Sequence, residues 1–217
     1  QIIRKELDYK GKIYFSSHHL SHAAAAFYPS PFKNSAILTV DGVGEYQTTT
    51  LSLGKGKEIT PLRSIDFPHS LGLLYSTFTA FLGFRVNEDE YKVMGLAAYG
   101  KPKYKDHIYK LIDVKADGSF KLNMSYFSFR ESFQMWSKDF EKLFGNPRKP
   151  TDKVTARDKN LAASIQLVTE EIYFKILWEN SKRASGVENG QCVYESSIPE
   201  KPELFIIYGN NVLLERV

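Results

Sequence analysis

The sequence predicts a domain of the α/β class, and three observations support that prediction. The chain has 217 residues, enough for one domain core, and 42% of them are hydrophobic while 25% are charged. Its first half alternates strand-like with helix-like segments. Its second half contains the clearest helical pattern, with an apolar residue every three or four positions at Leu161, Ile165, Val168, Ile172 and Ile176.

The segments before residue 70 alternate in the order expected of such a fold. Residues 12–17 are rich in β-forming residues and predict a strand, and residues 18–28 predict a short alanine-rich helix that Pro29 ends. Three further strands are predicted at residues 35–41, 46–53 and 58–65. Because glycine-containing turns at residues 42–44 and 54–57 join them, we expect an antiparallel meander.

Helices dominate the rest of the chain. Ser70 is a candidate N-cap for a helix over residues 70–84, and the long pattern at residues 160–183 stops at Gly186. A shorter helix and two strands are predicted at residues 91–98, 111–114 and 120–123. The aromatic stretch at residues 126–150 fits no regular pattern, and residues 187–217 form an unassigned tail.

Composition excludes several classes of protein. The formal charge of +4 is mild for this length, so we expect no nucleic-acid binding. A single cysteine, Cys192, excludes an internal disulfide and a cysteine-based zinc cluster. No apolar run is long enough for a membrane-spanning helix, and the N-terminus lacks a signal peptide and an initiator Met. We therefore expect a cytoplasmic protein and an excerpt of a longer chain.

Two histidines at the start of the first predicted helix are spaced for sharing a metal ion. His18 and His22 are four positions apart, which puts both imidazoles on one helical face, about 5–6 Å apart at Cβ. His19 lies between them and would point elsewhere. Surface or capping histidines show the same spacing, so spacing alone leaves both interpretations open.

Asp41 favours the metal hypothesis because it ends a predicted buried strand, where carboxylates of α/β proteins face the ligand crevice. Two histidines and one carboxylate form a facial triad that suits iron(II) or a similar divalent ion. The alternative for Asp41 is a turn residue that caps its own backbone before a glycine. The sequence alone does not place Asp41 beside the histidines.

Three further places are candidates for binding a phosphate. Gly42 and Gly44 would let backbone N–H groups approach an anion, although an ordinary hairpin turn explains them equally. Ser70 and Gly72 open a predicted helix whose free amides suit an anion, and an N-cap without a ligand is the alternative. Lys92 could reach a phosphate or carbamoyl oxygen, or be an ordinary surface lysine.

Several blocks of sequence, in a fixed order over about 80 residues, resemble the O-carbamoyltransferase family, the NodU and CmcH group. One of them is Val-Asp-Gly-Val-Gly-Glu at residues 40–45. The others lie at residues 18–23, 26–32, 69–75, 79–84 and 87–97, and the start of the long helix at residues 161–166 is also similar. Asp89 stands where the family has glycine, and Ala98 where it often has proline.

The resemblance implies a fold and a reaction. The fold is the actin-like ATPase (ribonuclease H-like) fold, a mixed sheet with flanking helices, and it would be incomplete in this chain. The reaction joins a carbamoyl group from carbamoyl phosphate to AMP using ATP. The carbamoyl-adenylate then passes its carbamoyl group to a hydroxyl of a sugar or antibiotic-like acceptor, a small molecule of a biosynthetic pathway.

The resemblance also implies roles for particular residues. His18, His22 and Asp41 would bind an iron(II)-type metal that orients the adenylate. The nucleotide and phosphate region would be lined by Gly42, Gly44, Glu45, Ser70, Gly72 and Lys92. No residue is identified as the general base for the acceptor hydroxyl.

Other family elements have no counterpart in this sequence. These are an upstream phosphate loop, a downstream glycine-rich adenosine segment with another metal-binding acid, and the domain that activates carbamoyl phosphate. We therefore interpret residues 1–186 as the middle part of the N-terminal domain. Two alternatives stay open, a truncated non-catalytic member and an ATP- and metal-binding member of kinase or ATPase type. The oligomeric state, homo-oligomers included, is also open.

Overall fold

A sheet covered by helices on both faces organises the chain. The computed structural model describes the backbone of residues 2–184 and of four short strands at 187–188, 191–192, 205–208 and 211–212. Side chains are described for residues 2–177. The predicted tail at residues 187–217 therefore lies largely outside the described residues, and its assignment stays open.

The predicted antiparallel meander is confirmed. Strand β1 (Asn34–Gly44) pairs with β2 (Gln47–Lys55), and β2 pairs with β3 (Glu58–Asp66). Beyond β1, strand β8 (Phe205–Tyr208) runs parallel to it and pairs with β9 (Asn211–Val212). The sheet order is therefore β3-β2-β1-β8-β9, with β1 in the centre.

The first turn of the meander differs from the prediction. Residues 42–44 were expected to form it, but they continue β1, and the chain reverses at Glu45 and Tyr46. Glu45 takes the positive φ of 61° that this tight reversal needs. The register of β1 against β2 shifts between Val40 and Gly44, which marks an irregularity in the pairing. Strand β1 therefore includes Asp41 and ends three residues after it.

One face of β1 is covered by helix α2 (His18–Phe27), close to its predicted bounds. Ala23 and Phe27 pack against Ile37 of the strand in a small apolar cluster. Gly54 of β2 leaves room for the Phe27 ring, since a Cβ at Gly54 would lie 2.6 Å from a ring carbon. This packing fixes α2 against the sheet along its C-terminal half.

The opposite face of β1 meets the main core. Helix α3 (Leu71–Phe81) and the long helix α7 (Ala156–Ala184) pack there with Leu38 and Val40. The predicted apolar stripe of α3 is fully buried at Leu71, Leu74, Phe78, Phe81 and Leu82. Burying each such side chain contributes roughly 1.5–3 kcal/mol.

The unassigned aromatic stretch contributes one more helix to this core. Helix α6 (Lys138–Phe144) places Phe140 and Phe144 against Phe78, with ring centroids 5.2 Å from it in both cases. Because α6 is only seven residues long, its periodicity is too short to detect in the sequence. Much of the aromatic content of the chain is therefore core.

Shorter elements complete the described fold. The predicted strands near residues 111–123 form the hairpin of β4 (Ile112–Val114) and β5 (Phe120–Leu122). The remaining helices and strands are α4 (Glu90–Ala97), α5 (Lys105–Ile108), a 3-10 turn (Met124–Tyr126), β6 (Val187–Glu188) and β7 (Gln191–Cys192).

The N-terminal segment corrects the prediction. Residues 12–17 were expected to form a strand, but they are irregular, and an unpredicted helix α1 (Ile2–Glu6) precedes them. Tyr14 and Phe15 are 83% and 92% exposed. In the described part of the chain no strand pairs with this segment, and β-forming residues alone do not make a strand without a partner.

The mixed sheet with flanking helices agrees with the predicted α/β class, and the actin-like ATPase assignment remains a prediction. Within the residues described, no helix has both the length and the apolar character needed to cross a membrane.

Candidate metal centre

The N-terminal turn of α2 carries the two histidines that the sequence predicts as ligands. His18 is the first residue of the helix and His22 lies one turn later, so both rings project from the same side. Their Nε2 atoms lie 2.9 Å apart and their ring centroids 4.5 Å apart. Both ring nitrogens therefore approach the same small volume.

Asp41 lies opposite these histidines on β1. Its Oδ2 atom contacts Nε2 of His18 and lies 3.5 Å from Nε2 of His22. Its Oδ1 atom accepts a hydrogen bond of 2.6 Å from the Gly42 amide, which fixes the orientation of the carboxylate. The structure thus brings together the three residues that the sequence left 23 positions apart.

The spacing of the three side chains fits a single bound metal ion. One ligand atom from each residue can be chosen so that all lie within 4.8 Å of one another. Metal–nitrogen bonds of about 2.0–2.1 Å at right-angled to tetrahedral geometry put neighbouring ligand atoms about 2.8–3.4 Å apart. The separations of 2.9 and 3.5 Å at His22 are close to this range. Two imidazoles and a carboxylate suit iron(II), zinc or a similar divalent ion.

The pocket at this cluster leaves the remaining coordination positions accessible. It has a volume of about 450 Å³ and is lined by Ser16, His18, Ser21, His22 and Glu45. The side chains of His18, His22 and Asp41 are 40%, 25% and 21% exposed. Because both histidines line this pocket, water or a substrate oxygen within it could complete the coordination of a bound ion.

The charge state of Asp41 suits a ligand. Burial alone would raise the pKa of the carboxyl, but hydrogen bonds from His18 and the Gly42 amide hold this pKa below its usual value. Asp41 is therefore a carboxylate at neutral pH. As a ligand it would supply one negative charge toward a divalent ion.

Behind the ligands, His19 anchors α2 to the sheet. Only 2% of its surface is exposed, and burial lowers its pKa despite the hydrogen bond to the Gln47 carbonyl. The neutral ring donates from Nε2 to that carbonyl at 2.9 Å and accepts at Nδ1 from the Thr39 hydroxyl at 2.7 Å. Thr39 in turn lies 2.7 Å from the hydroxyl of Thr50. The sequence analysis noted only that His19 points away from its neighbours.

The Ser70 side chain supports the strand segment that carries Asp41. The predicted N-cap is confirmed, because its hydroxyl accepts from the Leu73 amide at 3.0 Å. The same hydroxyl lies 3.1 and 2.7 Å from the carbonyls of Asp41 and Gly42, and Ser70 is 0% exposed. The hydroxyl is thus buried and bonded within the protein, and the place of Ser70 in the nucleotide region stays a prediction.

The glycines of the predicted phosphate region differ in their surroundings. A Cβ at Gly72 would lie 2.6 Å from the Asp41 carbonyl oxygen, so glycine lets the start of α3 pack directly on β1. Gly44 is buried, and a Cβ there would collide with the His18 ring. A Cβ at Gly42 would meet only a side-chain atom of Leu73, at 3.8 Å. Close packing thus gives a structural reason for Gly72 and Gly44, and the nucleotide role of all three glycines stays a prediction.

Two charged residues of the predicted nucleotide region lie at different places. Glu45 is exposed and lines the pocket. Lys92 lies on α4, where its ammonium group pairs with Asp89 at 2.7 Å, and it does not line this pocket. The structure therefore brings Glu45, but not Lys92, to the pocket of the histidines.

Comparison with known proteins assigns the family. Residues 2–194 match the family described as Carbamoyltransferase N-terminus. The uncharacterized protein sll1178 of Synechocystis is 54% identical over 164 residues, 75% of this chain and 27% of that protein. Nodulation protein NolNO of Sinorhizobium fredii is 36% identical over 174 residues, and nodulation protein NolO of Bradyrhizobium diazoefficiens is 30% identical over 174. Each of these two alignments covers 79% of this chain, and 24% and 29% of the relatives.

The chain spans roughly a quarter of the length of these relatives. The family match at residues 2–194 includes strands β1 to β3, the described helices and the histidine cluster. On the family match and the identity to NodU-type nodulation proteins, this chain belongs to the carbamoyltransferase family, in the region of its N-terminus.

Proposed function

We propose that this chain carries the metal centre of an enzyme that transfers a carbamoyl group to a hydroxyl of a small-molecule acceptor. One observation carries the proposal: His18, His22 and Asp41 lie together beside a pocket that both histidines line, in a chain of the carbamoyltransferase family. The donor would be carbamoyl phosphate, whose hydrolysis releases phosphate and carbamate. The carbamate would then displace pyrophosphate from ATP to form carbamoyl-adenylate, and the acceptor would be a sugar or an antibiotic-like molecule.

In the transfer step, the acceptor oxygen forms a bond to the carbamoyl carbon and the bond from that carbon to the AMP oxygen breaks. AMP leaves, and the proton of the acceptor hydroxyl goes to a base. A divalent ion, iron(II) by the family resemblance, supplies Lewis acidity at the carbamoyl and phosphate oxygens. His18 and His22 of α2 and Asp41 of β1 would hold that ion between the helix and the strand.

The lining of the pocket indicates how a ligand would be held. Its five lining residues include no Lys or Arg, so they offer a phosphate no positive side chain. The hydroxyls of Ser16 and Ser21 can bind polar groups, and the Glu45 carboxylate can accept a hydrogen bond from a ribose or acceptor hydroxyl. The rest of the nucleotide region in this proposal is the predicted set of Gly42, Gly44, Ser70, Gly72 and Lys92.

The metal part of the proposal is tested by elemental analysis of anaerobically purified protein. We expect about one iron or similar ion per chain, and its loss in His22→Ala and in Asp41→Asn, since each variant removes a ligand. His107→Phe is the matched control, because it removes a histidine outside the pocket and retains ring contacts with Tyr104 and Phe144. Equal metal content in all four proteins would refute the triad.

The transfer part is tested by product analysis on the polypeptide at its natural length, with carbamoyl phosphate, ATP and a panel of hydroxyl compounds. A carbamoylated acceptor with AMP as co-product supports the proposal. A phosphorylated acceptor with ADP would indicate a kinase, and ADP with inorganic phosphate alone an ATPase. Either of these outcomes would overturn the carbamoyl transfer and leave the metal result unaffected.

A further inference from the structure

We infer that Gly44 is a positioning residue for the metal ligand His18, because the side chain that glycine lacks would occupy the space of the imidazole. This inference rests on the metal-binding part of the proposed function. A Cβ at Gly44 would lie 2.7 Å from Cγ and 2.9 Å from Nε2 of His18, and closer still to Cδ2. Real Cβ atoms essentially never come within 3.0 Å of such atoms, so the ring would have to move.

The backbone does not explain this glycine. Positive φ values occur at other glycines of the described chain, Gly56, Gly83, Gly118 and Gly145, and Gly44 is not among them. Gly44 also pairs in register with Gln47 as part of β1, in extended backbone that any residue adopts. The steric conflict with His18 is therefore the physical reason for glycine at this position.

The His18 ring has little freedom to yield. Its Nε2 atom is held between Oδ2 of Asp41 and Nε2 of His22, and its ring packs edge-on against His22 at 4.5 Å. A ring that moved away from residue 44 would change its distance to both partners at once. Because a metal ion demands ligand atoms within a few tenths of an ångström, such a shift weakens binding without removing a ligand.

The test compares Gly44→Ala with Gly95→Ala. Gly95 lies on α4 and a Cβ there would meet nothing within 4 Å, so it is a matched glycine-to-alanine control. We expect Gly44→Ala to lower the affinity of the 217-residue chain for iron(II), titrated anaerobically, by about 10- to 100-fold, the range for residues that orient metal ligands. Gly95→Ala should bind as the wild type does. Equal affinity in Gly44→Ala and wild type would overturn the inference and leave the metal centre intact.

A second measurement needs no metal and separates this inference from the proposed function. In the metal-free protein, Gly44→Ala should lower the melting temperature by at least about 2 °C, because the ring and the new methyl group collide. In a His18→Ala background the same substitution should change it little, since the ring is gone. Should Gly44→Ala yield no folded protein, recovery of the fold with His18→Ala supports the same conclusion. An equal loss in both backgrounds would overturn it, even if the wild type binds no iron(II).

Discussion

His18 and His19 are neighbours in sequence and lie in opposite environments. His18, with His22, opens onto the pocket and directs Nε2 toward Asp41. His19 is 2% exposed and uses both ring nitrogens within the protein, on Thr39 and Gln47. Successive residues of a helix are about 100° apart, so one turn of α2 supplies both the ligand face and its anchor.

A partly exposed metal ligand and a buried hydrogen-bonded histidine have different requirements. A ligand needs a free lone pair and space beyond it, and it can be partly exposed because the metal would satisfy the nitrogen. An anchor needs every polar atom satisfied, because an unpaired buried donor or acceptor costs about 1–3 kcal/mol. His18 and His22 should therefore govern metal affinity, and the buried His19 should govern the stability of the fold.

The largest expected effect separates these two groups directly. His19→Ala should lower the free energy of unfolding by about 3 kcal/mol, because it leaves a cavity and removes the partners of Thr39 and Gln47. His22→Ala, which empties a partly exposed position, should lower it by no more than about 1 kcal/mol. Urea denaturation of the metal-free proteins, followed by circular dichroism, measures both values.

His19→Phe distinguishes the two causes, since it fills the volume but leaves the polar partners unsatisfied. If His19→Ala and His22→Ala destabilised the metal-free protein equally, the division into anchor and ligand would not hold.

A smaller effect is expected at Ser70, which connects the start of α3 to the strand that carries Asp41. Ser70→Ala removes an N-cap and the bonds to the carbonyls of Asp41 and Gly42, so it should reduce stability by about 1–2 kcal/mol. It should also weaken iron(II) binding, because those carbonyls belong to the segment that holds the carboxylate in place. Isothermal titration and denaturation measure the two effects.

Ser164→Ala is the control for Ser70→Ala. Ser164 is also fully buried and hydrogen-bonded, but on α7, where its partners are Tyr104 and Asn160. The Ser164→Ala variant should lose stability without a change in its affinity for iron(II). A loss of affinity as large as that of Ser70→Ala would show that any buried serine has this effect, and Ser70 would have no special connection to Asp41.

The candidate ligands could be predicted because the signals for them are local. The spacing of His18 and His22 is a property of one helical turn, and Asp41 follows a continuous apolar run that only a buried strand explains. The sequence also indicated the meander and the stripe of α3, both of which the structure confirms. These features depend on residues at most a few turns or one hairpin apart.

The features that escaped prediction depend on distant contacts. Ser70 and Gly72 suggested an anion site because a helix starts there, and only the approach of α3 to Asp41 shows that they support the strand. His19 gave no signal of its own, since its partners Thr39 and Gln47 lie 20 and 28 positions away. Residues 12–17 have strand-forming composition, but strand formation requires pairing that composition does not reveal.

The smallest expected effect is a pH dependence at His69, a second anchoring histidine. Its Nδ1 atom accepts a hydrogen bond of 3.2 Å from the Leu122 amide, which requires a neutral ring. Burial lowers the pKa of His69 below its usual value, and the positive charges of Lys121 and Arg130 lower it further. The unfolded chain therefore takes up this proton at a higher pH than the folded chain. His69 contributes its full stabilisation above about pH 6.5 and loses it as the pH falls toward the lowered folded pKa.

Denaturation curves between about pH 7.5 and 5 test this expectation. The free energy of unfolding of the wild type should fall with pH more steeply than that of His69→Gln, whose amide oxygen can still accept from Leu122 but does not titrate. Lys121→Met should give an intermediate slope, because it removes one of the charges that oppose protonation of His69. Identical slopes in the wild type and His69→Gln would mean that His69 is not held neutral by the fold. The environment of His69 would then resemble that of the partly exposed His18 and His22 more than that of the buried His19.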